Sequence, residues 1–266
     1  MIVPTAPTPL WRSLAIQFRV IGALLMREVL TRYGRHNIGF LWLFVEPMLF
    51  TIGITALWAY TKSAHGFQLP ITAFAVTGYS TVLLWRSMPS RCSTAIEPNL
   101  SLLYHRNVKV IDLFAARILL EIAGTTTSFI TLILIFHTLG WMALPEDPLK
   151  VVFAWVLLAF FGAALGLLVG TLSAQTEIVE KIWHPISYLM FPLSGAMFMV
   201  DWLPPAAQKF VLLLPMVHGV EFLREGYFGS IIHAHYDLAY MTLCTLGLAL
   251  LGLAKERVVS RQVTSE

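Results

Sequence analysis

Glu46, Arg117 and Glu121 are the residues of this chain best placed to do chemistry, because each is a charge set inside apolar sequence. Glu46 stands directly before Pro47, with no basic residue three or four positions away on either side. Pro47 leaves the carbonyl of residue 43 without its helical donor and permits a bend there. A charge beside a bend suits a gate at the mouth of a pathway; the plainer alternative is a bond to a neighbouring helix. Arg117 and Glu121 are four apart, a spacing at which they can form a structural pair. Charges in hydrocarbon are costly, so all three must face protein or water. No catalytic constellation accompanies them. There is no Gly-x-x-x-x-Gly-Lys-Ser/Thr loop, so ATP hydrolysis by the usual phosphate-loop route is not expected of this chain. There is no His-Glu-x-x-His, and Asp112, Asp147, Asp201 and Asp237 are isolated. His233-x-His235 reads as a solvated pair, and Cys92 and Cys244 lie far apart, so neither a metal site nor a disulfide is expected.

The elements that position these charges follow from composition. Of 266 residues, 57% are hydrophobic and 12% charged, about half the charge fraction of a soluble domain. The mean hydropathy is +0.73. The class is an all-α polytopic membrane protein. The net charge of +3 is explained by basic residues flanking spans, and no nucleic-acid partner is needed. Six apolar segments, at about 38–61, 69–88, 112–139, 149–173, 182–200 and 237–254, each approach the ~20 residues that cross a bilayer as a helix. A single transmembrane domain over 1–266 is expected, with a tail and interfacial helix over 1–36, six spans over 37–254 and a cytoplasmic tail over 255–266. The N-terminus has none of the features of a cleaved secretory signal.

Ahead of the first span, residues 12–34 carry one apolar stripe, Leu14, Phe18, Ile21, Leu25 and Val29. That period predicts an amphipathic helix lying among lipid headgroups. Arg12, Arg19 and Arg27 cluster on another arc, and Arg27, Glu28, Arg32, Tyr33 and Arg35 lead into Glu46-Pro47. Basic residues concentrate in the N-terminal region, around the loop between spans 2 and 3, and in the tail; Lys62, Lys150, Lys209 and Arg224 are left on the other side. Both termini are therefore expected in the cytoplasm. Trp42, Trp58, Trp85, Trp141, Trp155, Trp183 and Trp202 fall near expected span ends, where amphipathic rings prefer to sit. Gly162, Gly166 and Gly170 form a small-residue ladder for close helix approach, within the chain or between subunits. Span 5 ends at Asp201-Trp202-Leu203-Pro204-Pro205, a short apolar dip runs from Phe210 to Pro215, and a mixed helix over Val217 to Phe228 carries His218, Glu221, Arg224 and Glu225. This predicts a re-entrant or interfacial helical hairpin on the outer face, or an ordinary amphipathic loop on the membrane.

Two further groups are candidates for function. Phe40, Trp42 and Phe44 in span 1, with Tyr188, Phe191 and Phe198 in span 5, would suit a translocation pathway, since aromatic faces match the C–H patches of sugar rings; lipid contact and packing are the alternative. Glu97, Asn99, Tyr104, Arg106 and Lys109 of the 2–3 loop, with Glu177 and Glu180 of the 4–5 turn at Ala174 to Lys181, would form a docking face for a soluble partner, or else are solvated connectors.

These residues carry a resemblance. Arg27-Glu28, Thr31-Arg32-Tyr33-Gly34, Gly39-Phe40-Leu41-Trp42, Glu46-Pro47, Ala95-Ile96-Glu97-x-Asn99, Tyr104-x-Arg106-x-Val108-Lys109, Ala116-Arg117-x-Leu119-Leu120-Glu121, Met190-Phe191-Pro192-Leu193-Ser194 and Pro215-x-Val217-His218-x-Val220-Glu221 occur in order over nearly the whole chain. Together they resemble the membrane subunit of bacterial group 2 capsular polysaccharide ABC exporters, a KpsM-like family within the ABC-2 permeases. Leu214 departs from that pattern, where the family commonly has Asn. The resemblance implies a homodimer in the bacterial inner membrane with two separate ATPase subunits, which bind the ATP and Mg; this chain binds no cofactor. It implies export of a lipid-linked acidic polysaccharide from cytoplasm to periplasm, through a pathway formed by two copies and continued by a periplasmic co-polymerase and an outer-membrane channel. It also implies that the 2–3 and 4–5 loops couple to the ATPases. The alternatives are an ABC-2 permease for O-antigen, teichoic acid or a small molecule, and more remotely an intramembrane glycan or lipid transferase.

Overall fold

The structure, a computed structural model, describes residues 10–33, 39–62, 69–103 and 108–265, and every regular element among the described residues is helical. In chain order these are α1 (Leu10–Tyr33), α2 (Gly39–Lys62), α3 (Ile71–Cys92), the short α4 (Leu100–Leu103), α5 (Val110–Thr138), α6 (Pro148–Gln175), α7 (Glu177–Leu193), α8 (Pro205–Val211), α9 (Pro215–Phe228) and α10 (Leu238–Ser265). Helix starts follow local chemistry. Asp112 accepts the Lys109 N–H at 2.9 Å and so caps α5. Asp147 accepts the Lys150 N–H at 3.1 Å, with Pro148 in the first position of α6. Glu177 and Glu180 occupy the first turn of α7, where negative charge complements the helix dipole.

α6 is the centre of the bundle, and its glycines explain why. A Cβ on Gly162 would stand 2.8 Å from the Trp85 Cα, and one on Gly170 would stand 2.6 Å from Phe114 Cε1 and 2.9 Å from Cys92 Cβ. The ladder is therefore the seat of α3 and α5 within the chain. Small residues also admit α9 and α10, through Gly219 against Leu158 and Gly252 against Leu167. Phe129 stacks on Trp155 with ring centres 4.4 Å apart, and the indole N–H of Trp155 reaches Thr126 Oγ1 at 2.9 Å. α5 is thereby joined to α6 by both an apolar and a polar contact.

The two ends of the bundle differ. At one end Leu24 of α1 packs on Leu113 and Ala116 beside Leu102, Leu103 and Val108, and Val259 of α10 packs with Cys92, Ala95, Ile96, Val110 and Phe114. At the other end the Asp147 N–H donates to the Gly226 carbonyl at 2.8 Å, and α8 meets α9 at a bend of 107°.

Several expectations change. Among the described residues three helices are long and apolar enough to cross a membrane, Val110–Thr138, Pro148–Gln175 and Leu238–Gln262, or up to four if the bent α8–α9 pair is one span. The other expected spans coincide with α2, α3 and α7; within α2 the apolar stretch among the described residues is Val45–Leu57. The 4–5 turn is almost absent, because α6 runs to Gln175 and α7 resumes at Glu177; residues expected in a loop are helical. Span 5 was expected to 200 but its helix stops at Leu193, one residue past Pro192, and Ser194 caps it with its hydroxyl donating to the Phe191 carbonyl at 2.7 Å. Trp85, Trp155 and Trp183 are buried, at 1%, 7% and 8% exposure. They pack helices together and are not belt residues, whereas Trp42, Trp141 and Trp202 are exposed. On α1, Leu14 and Phe18 of the expected apolar stripe are exposed together with Trp11, Met26 and Leu30, while Leu24, beside the stripe, is buried.

Candidate functional site

α2, α3, α5 and α7 enclose a cavity of about 580 Å³. Glu46, Pro47 and Phe50 come from α2, Tyr79, Arg86, Ser90 and Arg91 from α3, Glu121 and Thr125 from α5, and His184, Ser187, Tyr188 and Phe191 from α7. Arg91 organises the charge. Its Nε stands 3.4 Å from Glu121, and its terminal nitrogen 4.0 Å from Glu46. Glu46, which has no basic neighbour along its own helix, thus gains one from the last turn of α3. The expected Arg117–Glu121 pair is not formed. Arg117 turns the other way, to Glu28 of α1 at 3.2 Å, and donates to the Arg91 carbonyl at 2.5 Å and Thr94 Oγ1 at 3.0 Å. The reason is packing: α1 and the end of α3 both crowd α5 at this level, and each offers a group that reaches further than a neighbour on the same helix.

The aromatic side of the cavity is held as firmly. Phe191 meets Tyr79 edge to face, ring centres 5.8 Å apart, and the Arg86 guanidinium lies over the Tyr188 ring at 4.8 Å. Trp183 donates to Ser90 Oγ at 3.1 Å and so ties α7 to α3. Of the six aromatics expected along a pathway, Tyr188 and Phe191 line this cavity. Trp42 is exposed elsewhere on α2, and Phe198 packs against Val200, Val211 and Val217. The side chains of Phe40 and Phe44 lie outside the described residues, as do those of Arg32 and Tyr33 and the whole of Arg35, Tyr104 and Arg106.

The candidate coupling residues divide. Asn99 is buried, donates to the Ala95 carbonyl at 2.8 Å and accepts from Arg27 of α1. Arg27 and Asn99, expected in separate groups, therefore act as one joint between α1 and the segment after α3. Glu97 and Lys109 are exposed, and Glu177 pairs with Lys181 at 3.0 Å on the surface.

The residues expected in the hairpin after span 5 form a clamp. Arg224 is fully buried, gives its N–H groups to the carbonyls of Gly195, Phe198 and Ala196 at 2.5, 2.7 and 2.6 Å, and covers the Phe74 ring at 3.8 Å. Glu221 accepts the backbone N–H of Val200 at 3.1 Å and of His235 at 3.0 Å. His218 Nδ1 accepts the Asp237 N–H at 2.8 Å, which leaves Nε2 to donate to the Leu212 carbonyl at 2.8 Å. Pro215 opens α9, and Trp202 stacks on Phe74 at 5.3 Å. Buried backbone groups in two irregular segments are satisfied this way, which makes α9 a rigid brace. Among the described residues no cluster of three or more His, Cys, Asp or Glu is arranged to hold a metal ion.

The model of the ABC-2 type transporter family matches residues 19–228, a stretch that contains every residue of the cavity. The chain belongs to the ABC-2 type transporter family. The capsule polysaccharide export inner-membrane protein CtrC of Neisseria meningitidis serogroup B is 48% identical over 256 residues, covering 96% of this chain and 97% of that protein. The capsule polysaccharide export inner-membrane protein BexB of Haemophilus influenzae is 43% identical over 252 residues, 95% of each. The polysialic acid transport protein KpsM of Escherichia coli is 28% identical over 242 residues, 91% of this chain and 94% of that protein. In this ABC-2 transporter the sequence points to Glu46 and Tyr188 but misses Arg86, Arg91 and Tyr79, which face them. The signal for Arg86 was present: a cation inside an otherwise apolar run from 69 to 88.

Proposed function

We propose that this chain is the membrane-spanning subunit of an ATP-driven exporter that moves lipid-linked capsular polysaccharide from the cytoplasm to the periplasm. Similarity along nearly the full length of proteins named for capsule polysaccharide export carries this reading. The cavity supports it, because hydroxyls, cations and aromatic faces together suit an acidic sugar chain. In this reading residues 1–266 form one domain with six spans and cytoplasmic termini in the inner membrane. Two copies form the pathway. Two separate ATPase subunits bind ATP and Mg and engage the surface that includes Glu97 and Lys109, and this chain itself binds no cofactor. A periplasmic co-polymerase and an outer-membrane channel continue the route. A transferase role is disfavoured because both acids of the cavity are engaged by Arg91. The test is a deletion strain: capsular polysaccharide should accumulate in the cytoplasm and return to the surface when the gene is restored. Normal surface capsule, with O-antigen or another glycan retained instead, would overturn the capsule assignment. Purification of the tagged chain should bring a P-loop ATPase with it.

A further inference from the structure

Arg86 stands apart from the other charges around the cavity. Arg91, five residues later and about 7.5 Å further along the axis of α3, is matched by Glu121 and Glu46. Arg117 is matched by Glu28. Among the described residues no carboxylate lies within ion-pair distance of Arg86, whose guanidinium lies over the Tyr188 ring at 4.8 Å. Tyr188 is itself 66% exposed, so this pair sits at the open side of the cavity.

A cation inside an apolar bundle is costly, and costliest without a counter-ion. The face of Tyr188 and water in the cavity offset part of that cost, but a neutral side chain of similar length would fill the same space without it. The charge is accounted for if the negative partner arrives with a ligand. A guanidinium over an aromatic ring keeps N–H groups for a carboxylate or phosphate, which it can take with two parallel hydrogen bonds. Beside it, Tyr188 and the edge-to-face pair of Tyr79 and Phe191 offer flat apolar surface for a sugar ring.

We propose that Arg86, backed by Tyr188, is a specificity-determining residue of the pathway, receiving the carboxylate or phosphate of an acidic sugar unit while the adjacent rings take the sugar itself. This rests on the transport reading above and adds to it that acidic glycans are selected over neutral ones. A single cation facing open space suits a polymer that must move on, because one such contact holds each unit only briefly. A phospholipid headgroup presents the same anion, so the test must separate the two sources.

The test uses the full-length chain with its ATPase in nanodiscs of phosphatidylcholine, and measures binding of a labelled sialic acid oligomer, a phosphodiester-linked glycan oligomer and a neutral maltodextrin. The wild-type complex should bind at least one acidic oligomer more tightly than maltodextrin. Arg86→Gln should weaken acidic binding by about tenfold and leave maltodextrin unchanged. If Arg86→Gln does not assemble, Arg86→Lys decides: charge without the fork should weaken acidic binding several-fold and again spare the neutral sugar. Equal loss for acidic and neutral glycans would make Arg86 a structural support of Tyr188 and overturn the proposal. So would unchanged acidic binding in an assembled variant. An Arg86→Gln effect found only in discs containing phosphatidylglycerol would assign the anion to a lipid headgroup and overturn the glycan assignment. A wild-type complex that binds none of the three glycans would overturn the transport reading, and this inference with it.

Discussion

Arg91 touches two acids in different settings, and the difference tells them apart. Its contact with Glu46 is 4.0 Å long between side chains 41% and 36% exposed. Such a pair contributes about 1 kcal/mol or less. Glu46→Gln should therefore fold normally. If the pair holds the closed state of the pathway, basal ATPase activity of the purified complex without substrate should rise by up to about fivefold, the factor that 1 kcal/mol represents, while coupled export falls. Basal activity and export both at wild-type level would reduce Glu46 to a paired acid without a gating role. Glu121 is different, because its side chain is only 9% exposed and the contact is 3.4 Å. Removing the cation from a buried carboxylate costs about 3 kcal/mol or more. Arg91→Gln should thus lower the thermal midpoint of the detergent-solubilised protein, and Arg91→Gln with Glu121→Gln should recover much of it. A double variant as unstable as the single one would show that Arg91 acts through some contact other than Glu121.

At the scale of elements, the glycines of α6 set how closely helices approach, and they can be tested one methyl group at a time. A Cβ at Gly162 meets the Trp85 backbone at 2.8 Å, where no side-chain rotation can make room. Gly162→Ala should cost about 1–3 kcal/mol and reduce membrane level or thermal midpoint. Gly247 of α10 has nothing within 4 Å of its would-be Cβ. Gly247→Ala should be neutral or stabilise by up to about 1 kcal/mol through helix propensity. Equal effects at the two sites would mean that the ladder does not seat α3. Where the helices run was legible in apolar stretches: the expected 112–139, 149–173 and 237–254 fall within a few residues of α5, α6 and the apolar part of α10. The ladder was legible too, because three small residues four apart have few other uses. What escaped was set by distance along the chain. Glu46 and Arg91 are separated by a helix and a loop, and nothing local marks them as neighbours. Arg117 chose Glu28, far away, over Glu121, one turn away. The polar residues of α9 read as an amphipathic face but are a buried clamp, because the carbonyls and N–H groups they satisfy belong to irregular backbone at 195–200 and 235–237.

At the scale of the whole molecule, the bundle sorts its connections by end. α1, residues 95–103, the start of α5 and the end of α10 pack together through Leu24, Leu103, Leu113, Ile96 and Val259. The stretch from Leu139 to Asp147, the turn at 194–202 and the segment after α9 gather opposite them, joined by the Asp147 to Gly226 and Val200 to Glu221 hydrogen bonds. The first end carries most of the basic residues, Arg12, Arg19, Arg27, Lys109, Lys255, Arg257 and Arg261 among them, while Lys150 at the second end is held by Glu225 at 3.4 Å. Basic residues are retained on the cytoplasmic side during insertion, so in the proposed reading the first end faces the cytoplasm. A phosphatase reporter, active only in the periplasm, should be active when inserted at Pro145 and silent when fused after Glu266. A reporter that fluoresces in the cytoplasm should give the reverse. Two sites at opposite ends of one bundle cannot report the same compartment, so periplasmic signals from both would contradict the end-sorting itself. A cytoplasmic signal at Pro145 with a periplasmic one after Glu266 would instead invert the orientation, placing the Arg27–Asn99 joint and Glu97 out of reach of any ATPase.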